Sequence, residues 1–143
     1  MLNNLMAIFL SFSMVHNSAH ATPHHAPKVA QAVHKAKASL YRLYEAGIAS
    51  WYGIGDGFQG LLTASGVRFD TNANMCAHRF LPLGTVIVIE NTVNHVRVSC
   101  KILDRGPYAD NRVLDMSHAV KVALGAGDLT QVKLWVKRSE QYH

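Results

Sequence analysis

Acidic residues are scarce in this sequence. Nine Asp and Glu stand against fourteen Lys and Arg, a formal charge of +5 at neutral pH. Such a surplus suits anionic polymers such as envelope glycans. Dense charge is missing as well. No block of Lys and Arg occurs, and the aromatics are not interleaved with basic residues as a base-stacking platform requires, which argues against nucleic acid. No apolar stretch reaches the ~20 residues that cross a bilayer. No internal repeat is present, so the chain is not a repeat array. Cysteine is limited to Cys76 and Cys100. In an oxidising compartment such a pair points to a disulfide contributing ~3 kcal/mol, with two separate buried thiols as the alternative. His78 stands two residues from Cys76, but one neighbouring histidine is thin ground for a thiol nucleophile. His24, His25 and His34 have no acidic or cysteine partner near them, so neither a metal nor a cofactor is expected.

What is present divides the chain into four parts. Leu5 to Val15 is apolar and Ala19-His20-Ala21 is a small-x-small cleavage site, so residues 1–21 read as a secretory signal peptide. No Lys or Arg strengthens its start. All charged side chains follow Ala21, and the charge therefore stays with the mature protein. No cysteine directly follows the apolar stretch, so no lipid anchor is expected. The product is expected to be exported, soluble in the periplasm or cell envelope, monomeric, and without a stable membrane anchor after cleavage. Residues 22–46 are rich in Ala, Lys and His, and read as a linker or a helical extension over Val29 to Tyr44. Residues 47–138 suffice for one modest core, and 139–143 form a tail.

The texture from Gly47 onward is β. Gly47 to Gly53 is a short strand bounded by glycines, and Thr85 to Glu90 is β-branched. Val96 to Leu103 and Val132 to Val136 alternate apolar with polar residues. One helix is expected from Ser117 to Leu124, ended by Gly125. Many short strands with Gly and Pro turns argue for a small barrel or sandwich. At the end of one strand stands Asp104-Arg105-Gly106-Pro107, a carboxylate before a sharp turn. That position suits acid–base chemistry, and it equally suits a turn-capping aspartate.

Taken in order, several motifs resemble the rare lipoprotein A family. They are Gly47-Ile48-Ala49-Ser50-Trp51-Tyr52-Gly53, Thr63-Ala64-Ser65-Gly66, Phe69-Asp70, Ala77-His78-Arg79, Leu81-Pro82-Leu83-Gly84-Thr85, Asp104-Arg105-Gly106-Pro107 and Val113-Leu114-Asp115-Met116-Ser117. The resemblance implies a mainly β fold, a six-stranded double-psi β-barrel with one or two short helices. It also implies a lytic transglycosylase acting on peptidoglycan glycan strands, which cuts the β-1,4 bond after N-acetylmuramic acid and leaves a 1,6-anhydro end. One carboxyl suffices for that reaction, protonating the leaving oxygen and then taking the proton of the C6 hydroxyl. The family's catalytic aspartate maps onto Asp104 and its histidine onto His78.

His78 would orient Asp104, stabilise developing charge, or simply tie strands together by hydrogen bonds. Trp51 and Tyr52 offer flat faces to sugar rings, and lone aromatics also serve as core. Ser65, Arg79 and Arg105 complete the expected substrate contacts, with Arg105 turned away from Asp104 to serve the loop or the substrate. Asp70 and Asp115 read as turn and backbone anchors. One departure stands out: Val67 occupies the place of an active-site glutamate in the family's pattern. Valine cannot hold a proton, so activity would rest on Asp104. Two other readings accompany the enzyme: a glycan-binding, non-cutting barrel like those of expansins, and a structural part of the envelope, a secretion apparatus or a phage.

Overall fold

The structure, a computed structural model, describes residues 40–138. In chain order the elements are β1 (Tyr41–Tyr52), β2 (Met75–Ala77), β3 (Val86–Asn91), β4 (Arg97–Asp104), β5 (Arg112–Ser117), α1 (His118–Ala123) and β6 (Thr130–Lys137). The six strands close into a barrel in the order β1-β5-β2-β4-β3-β6. Two neighbouring pairs, β1 with β5 and β2 with β4, run parallel, and the other contacts are antiparallel. This is a double-psi β-barrel. Closure removes every open sheet edge, which matters for strands as short as these.

Period-two alternation fills the interior. Ile87 and Ile89 of β3, Ile102 of β4, Leu114 and Met116 of β5, and Val132 and Leu134 of β6 are fully buried. Helix α1 plugs one side with Val120, and Leu124 just beyond it is buried too. Its Ser117 cap accepts from the Val120 amide, and the chain turns out of the helix at Gly125 with φ of 60°. A disulfide joins Cys76 of β2 to Cys100 of β4 inside this core.

The barrel starts earlier than the sequence pattern implied. Tyr41 to Ala46, read above as the end of an extension, form the first half of β1 and pair with Lys137 to Lys133 of β6. The helix expected over Val29 to Tyr44 is therefore absent at least from Tyr41 onward. Pairing decides this: β6 would otherwise present an open edge, and a weak helical pattern cannot outcompete a full ladder of backbone hydrogen bonds. The signal peptide, the rest of the extension and the tail lie outside the described residues.

Candidate active site

Asp104 reaches its position through an irregularity in pairing. Along β2 and β4 the partners run Met75 with Lys101 and Cys76 with Ile102, then shift so that Ala77 meets Asp104. Without the shift Asp104 would share the side of Ile102, which faces the core. The extra residue re-aims it, as bulges beside active sites commonly do. Ala77 also pairs with Asp115 of β5, and Asp115 with Ser50 of β1. A single row thus crosses four strands: Ser50, Asp115, Ala77, Asp104. Cross-strand partners share a face, so both carboxylates stand on one side of the sheet, two strand spacings or roughly 10 Å apart at their Cα atoms.

Each carboxylate is held by one oxygen. Asp104 Oδ1 accepts from the Ala64 amide at 2.9 Å and from the Arg105 amide at 2.8 Å. Asp115 Oδ1 accepts from the Ser50 hydroxyl, which in turn accepts from Arg112 Nη1 at 2.8 Å. Among the described residues neither Oδ2 has a hydrogen-bond partner. The turn after Asp104 passes over the row at Gly106, whose φ of 133° is open only to glycine. A Cβ built there would lie 3.7 Å from Asp115 Oδ2 and 3.8 Å from the Ala77 Cβ. The Gly106–Pro107 peptide is cis.

Tyr52 completes this face. It stands two residues beyond Ser50 on the same side of β1, stacked on Phe69 at 4.3 Å with Phe58 edge-on at 5.6 Å. Its hydroxyl is buried and has no hydrogen-bond partner among the described residues. Burial, and after it the negative charges of Asp104, Asp115 and Asp56, push the phenol well above the ordinary tyrosine range. The phenol therefore stays a donor, and it senses both carboxylates at once. Asp56 caps the neighbouring loop through the amides of Gly53 and Phe58.

The remaining expected site residues have other duties. His78 is buried, and both its ring nitrogens are engaged: Nδ1 accepts from the amides of Phe80 and Leu81, and Nε2 meets Glu45 Oε2 at 2.9 Å. With two amides donating to Nδ1, the ring proton belongs on Nε2 and goes to Glu45. Only the His78 backbone touches Asp104, its amide donating to the Asp104 carbonyl at 3.2 Å. The expectation of a catalytic imidazole beside Asp104 is corrected accordingly. The ring is consumed in fastening the loop after β2, because a buried imidazole must satisfy its own polar atoms first.

Arg79 and Arg105 clamp two loops to each other. Arg79 donates from the loop after β2 to the carbonyls of Pro107 and Ala109. Arg105 donates from the loop after β4 to the carbonyls of His78 and Leu81, at 3.1 and 2.8 Å. Its guanidinium points away from the Asp104 carboxylate. Arg105 thus serves the loop, one of the two roles expected of it, and both arginines fix the turn that follows Asp104.

Trp51 is likewise corrected. Strand alternation sends it to the side opposite Ser50 and Tyr52, where it packs against the core. Its Nε1 donates to Asp128 at 2.9 Å, and the Lys121 ammonium lies 3.8 Å above the ring. Ser65 sits in the turn over Asp104, its amide donating to the Leu103 carbonyl and its hydroxyl paired with that of Thr63. Val67 lies at the end of the same turn, with its side chain exposed and its carbonyl bound to Thr63.

Sequence reasoning missed three contributors. Asp115 looked like an anchor because Leu114 and Met116 flank it, and only the register with Ala77 reveals it on the face of Asp104, two strands away. Phe80 and Tyr108 are 78% and 83% exposed on the two clamped loops, an unusual position for large aromatics. Nothing in their local sequence distinguishes them from core residues.

A closed double-psi barrel with a carboxylate-bearing outer face defines the class of this protein. The lytic transglycolase family matches the chain over residues 44–134. The chain belongs to that family, as its ordered motifs implied. Over 88 residues it is 49% identical to a probable endolytic peptidoglycan transglycosylase RlpA of Nostoc sp., covering 62% of this chain and 24% of that protein. Over 82 residues it is 46% identical to the probable enzyme of the same name from Aquifex aeolicus, covering 57% and 35%. Over 106 residues it is 37% identical to the endolytic peptidoglycan transglycosylase RlpA of Neisseria meningitidis serogroup A, covering 74% and 44%. The chain spans less than half the length of each of these relatives.

Proposed function

We propose that this protein is an exported, monomeric lytic transglycosylase of the cell envelope that cuts the glycan strands of peptidoglycan. The observation that carries the reading is Asp104: a pairing shift turns it to the outer face, and one of its oxygens has no partner among the described residues. Family membership supplies the reaction class. In its acid form Asp104 gives its proton to the bridging oxygen as the bond from the muramyl C1 breaks. The carboxylate then takes the proton of the muramyl C6 hydroxyl, whose oxygen bonds to C1. One C–O bond is exchanged for another, no water enters, and the proton is returned.

The surroundings support the same step. The amides of Ala64 and Arg105 fix the orientation of Asp104, and Tyr52 brings a protonated phenol near it. Phe80 and Tyr108 offer exposed rings on the bordering loops, suited to stacking against sugars. Val67 leaves the turn without an acid, and Asp115 supplies a second carboxylate on the same face, two strands along the row.

The test is mass spectrometry of glycans, intact and stripped of peptides, after incubation with the protein and with Asp104→Asn. New 1,6-anhydromuramyl ends from the wild type alone are expected. Reducing ends would instead indicate hydrolysis, with Asp115 as the base that activates water. Equal cleavage by Asp104→Asn would remove Asp104 from the mechanism.

A further inference from the structure

Closure of the strands gives the barrel two outer walls. The Asp104 row occupies one, across β1, β5, β2 and β4, and β3 and β6 form the middle of the other. Ile87, Ile89, Leu134 and Val136 point into the core, so their neighbours on β3 and β6 point out. Trp135 pairs with Leu43 of β1 and with Val88, which makes a central apolar row. Two residues along the strands, Lys137 pairs with Tyr41 and Lys101 with Val86. Two residues the other way on β3 and β6, Lys133 pairs with Glu90, and Glu90 with Arg97. Cross-strand partners share a face, so these side chains all stand on the second wall.

That wall is apolar along its middle and positive on both flanks. Val86 is 52% exposed and Leu43 47%, although both are large apolar residues. Arg97 lies 5.5 Å over the Trp135 ring. Glu90 is the one acid in these rows, and Arg97 holds it at 2.6 Å. Among the described residues neither Lys101 nor Lys137 has a carboxylate partner. These features narrow the partner. Repulsion among the cations opposes a second copy placed face to face. A closed barrel offers no strand edge to which a peptide could add. Ser99, opposite Val88, and the Tyr41 hydroxyl are too few neutral polar groups to follow a hydroxyl-rich glycan. An anionic lipid surface asks for what is here: apolar side chains and an indole for the boundary below the headgroups, and cations at the level of the phosphates.

We propose that the wall formed by β3 and β6 is a peripheral docking surface for an anionic phospholipid bilayer. Leu43, Val86 and Trp135 meet the apolar boundary, and Lys101, Lys133 and Lys137 meet the phosphates. The contact is reversible, unlike an anchor. It turns the Asp104 row away from the membrane, because β5 and β2 stand across the barrel from β3 and β6. Nothing in it depends on the chemistry at Asp104.

The test is vesicle cosedimentation of the protein purified after export. Vesicles of equal parts phosphatidylglycerol and phosphatidylcholine should retain it, and pure phosphatidylcholine should not. Lys101→Gln with Lys137→Gln should weaken retention at least about tenfold, the scale for two cations at an anionic surface. Arg42→Gln with Arg68→Gln removes the same charge elsewhere, from the inward side of β1 and from the loop that Arg68 ties to Gly60, and should bind as the wild type does. Leu43→Ser with Val86→Ser should also weaken retention. In NMR spectra, spin-labelled headgroups should broaden the amides of Val88 and Trp135 and spare those of Ala77 and Asp115. Failure to bind the mixed vesicles, equal binding to both kinds, or equal loss in the two charge variants would each overturn the proposal. So would broadening centred on β2 and β5, or tighter binding to soluble polyglutamate or polygalacturonate than to the vesicles, which would make the wall a polymer site. Cleavage of glycan by a protein that ignores these vesicles removes only the docking surface. Docking without cleavage removes only the enzymatic reading.

Discussion

Tyr52 shows how little the chemistry of a single residue says before its neighbours are known. As a lone aromatic it suits a sugar platform or the core, and the structure places its ring in one role and its hydroxyl in another. The ring stacks on Phe69, while the hydroxyl is buried without a partner near Asp104 and Asp115. A buried, unpartnered hydroxyl costs about 1–3 kcal/mol, so it persists only where something else gains from it. Tyr52→Phe should therefore leave stability unchanged or raise it by up to about 1 kcal/mol, by the same reasoning. Cleavage should fall on the order of tenfold, the rate equivalent of about 1.4 kcal/mol for one hydrogen bond lost from the transition state. Denaturant unfolding and the anhydro-end assay, run on the same preparation, check both halves. Lower stability with full activity would make Tyr52 an ordinary packing residue. His78 went the other way. Its type and spacing suggested catalysis, and a glutamate 33 positions upstream claims the ring.

Between elements, the decisive contacts are reciprocal. Arg79 and Arg105 each donate from one loop to the carbonyls of the other, and one of those loops follows directly on Asp104. Replacing either by Met should cost about 1.5–3 kcal/mol, the range for hydrogen bonds to a charged group. It should also speed amide hydrogen exchange at Gly106 and Tyr108 while leaving β3 and β6 protected. Arg79→Lys should not rescue cleavage, because an ammonium cannot reproduce a planar fork that reaches two carbonyls. On the opposite side of the barrel, the β3–β4 hairpin carries a pH-sensitive pair. Burial pushes the Glu90 carboxyl up, and the hydrogen bond and charge of Arg97 outweigh it, aided by His95 and Lys133. The carboxyl is therefore held below its usual range. A group depressed in this way stabilises the fold above its unfolded pKa of ~4.3, and that contribution is lost as pH falls through the folded value. Thermal unfolding from pH 7 down to about pH 3 should accordingly show a shallower acid limb in Glu90→Gln, by less than about 1 kcal/mol for so exposed an arginine. An unchanged limb would assign the acid sensitivity elsewhere. Neither the clamp nor the pair is visible in sequence windows, because their partners lie on different elements.

For the molecule as a whole, the Cys76–Cys100 bridge links two strands of the closed barrel across a separation of 24 residues. Replacing both cysteines by Ala should lower stability by about 3 kcal/mol in the chain-entropy estimate, read from denaturant midpoints. A loss well below this would mean that residual structure already restricts the reduced, unfolded chain at that point. The sequence by itself determined a good deal here. A β-branched run located β3, alternation located β4 and β6, Ser117 and Gly125 bracketed α1, and the ordered motifs identified the family and singled out Asp104. These features are local, or repeat along the chain, so a linear reading reaches them. The tertiary structure decided the rest. Barrel closure drew Tyr41 to Ala46 into β1, a pairing shift turned Asp104 outward, and register set Asp115 and Ser50 in its row. It also tied the side chains of His78, Arg79 and Arg105 to Glu45 and to the loops. Which face a strand residue occupies depends on a one-residue difference in pairing between distant segments, and that information exists only once the strands have met.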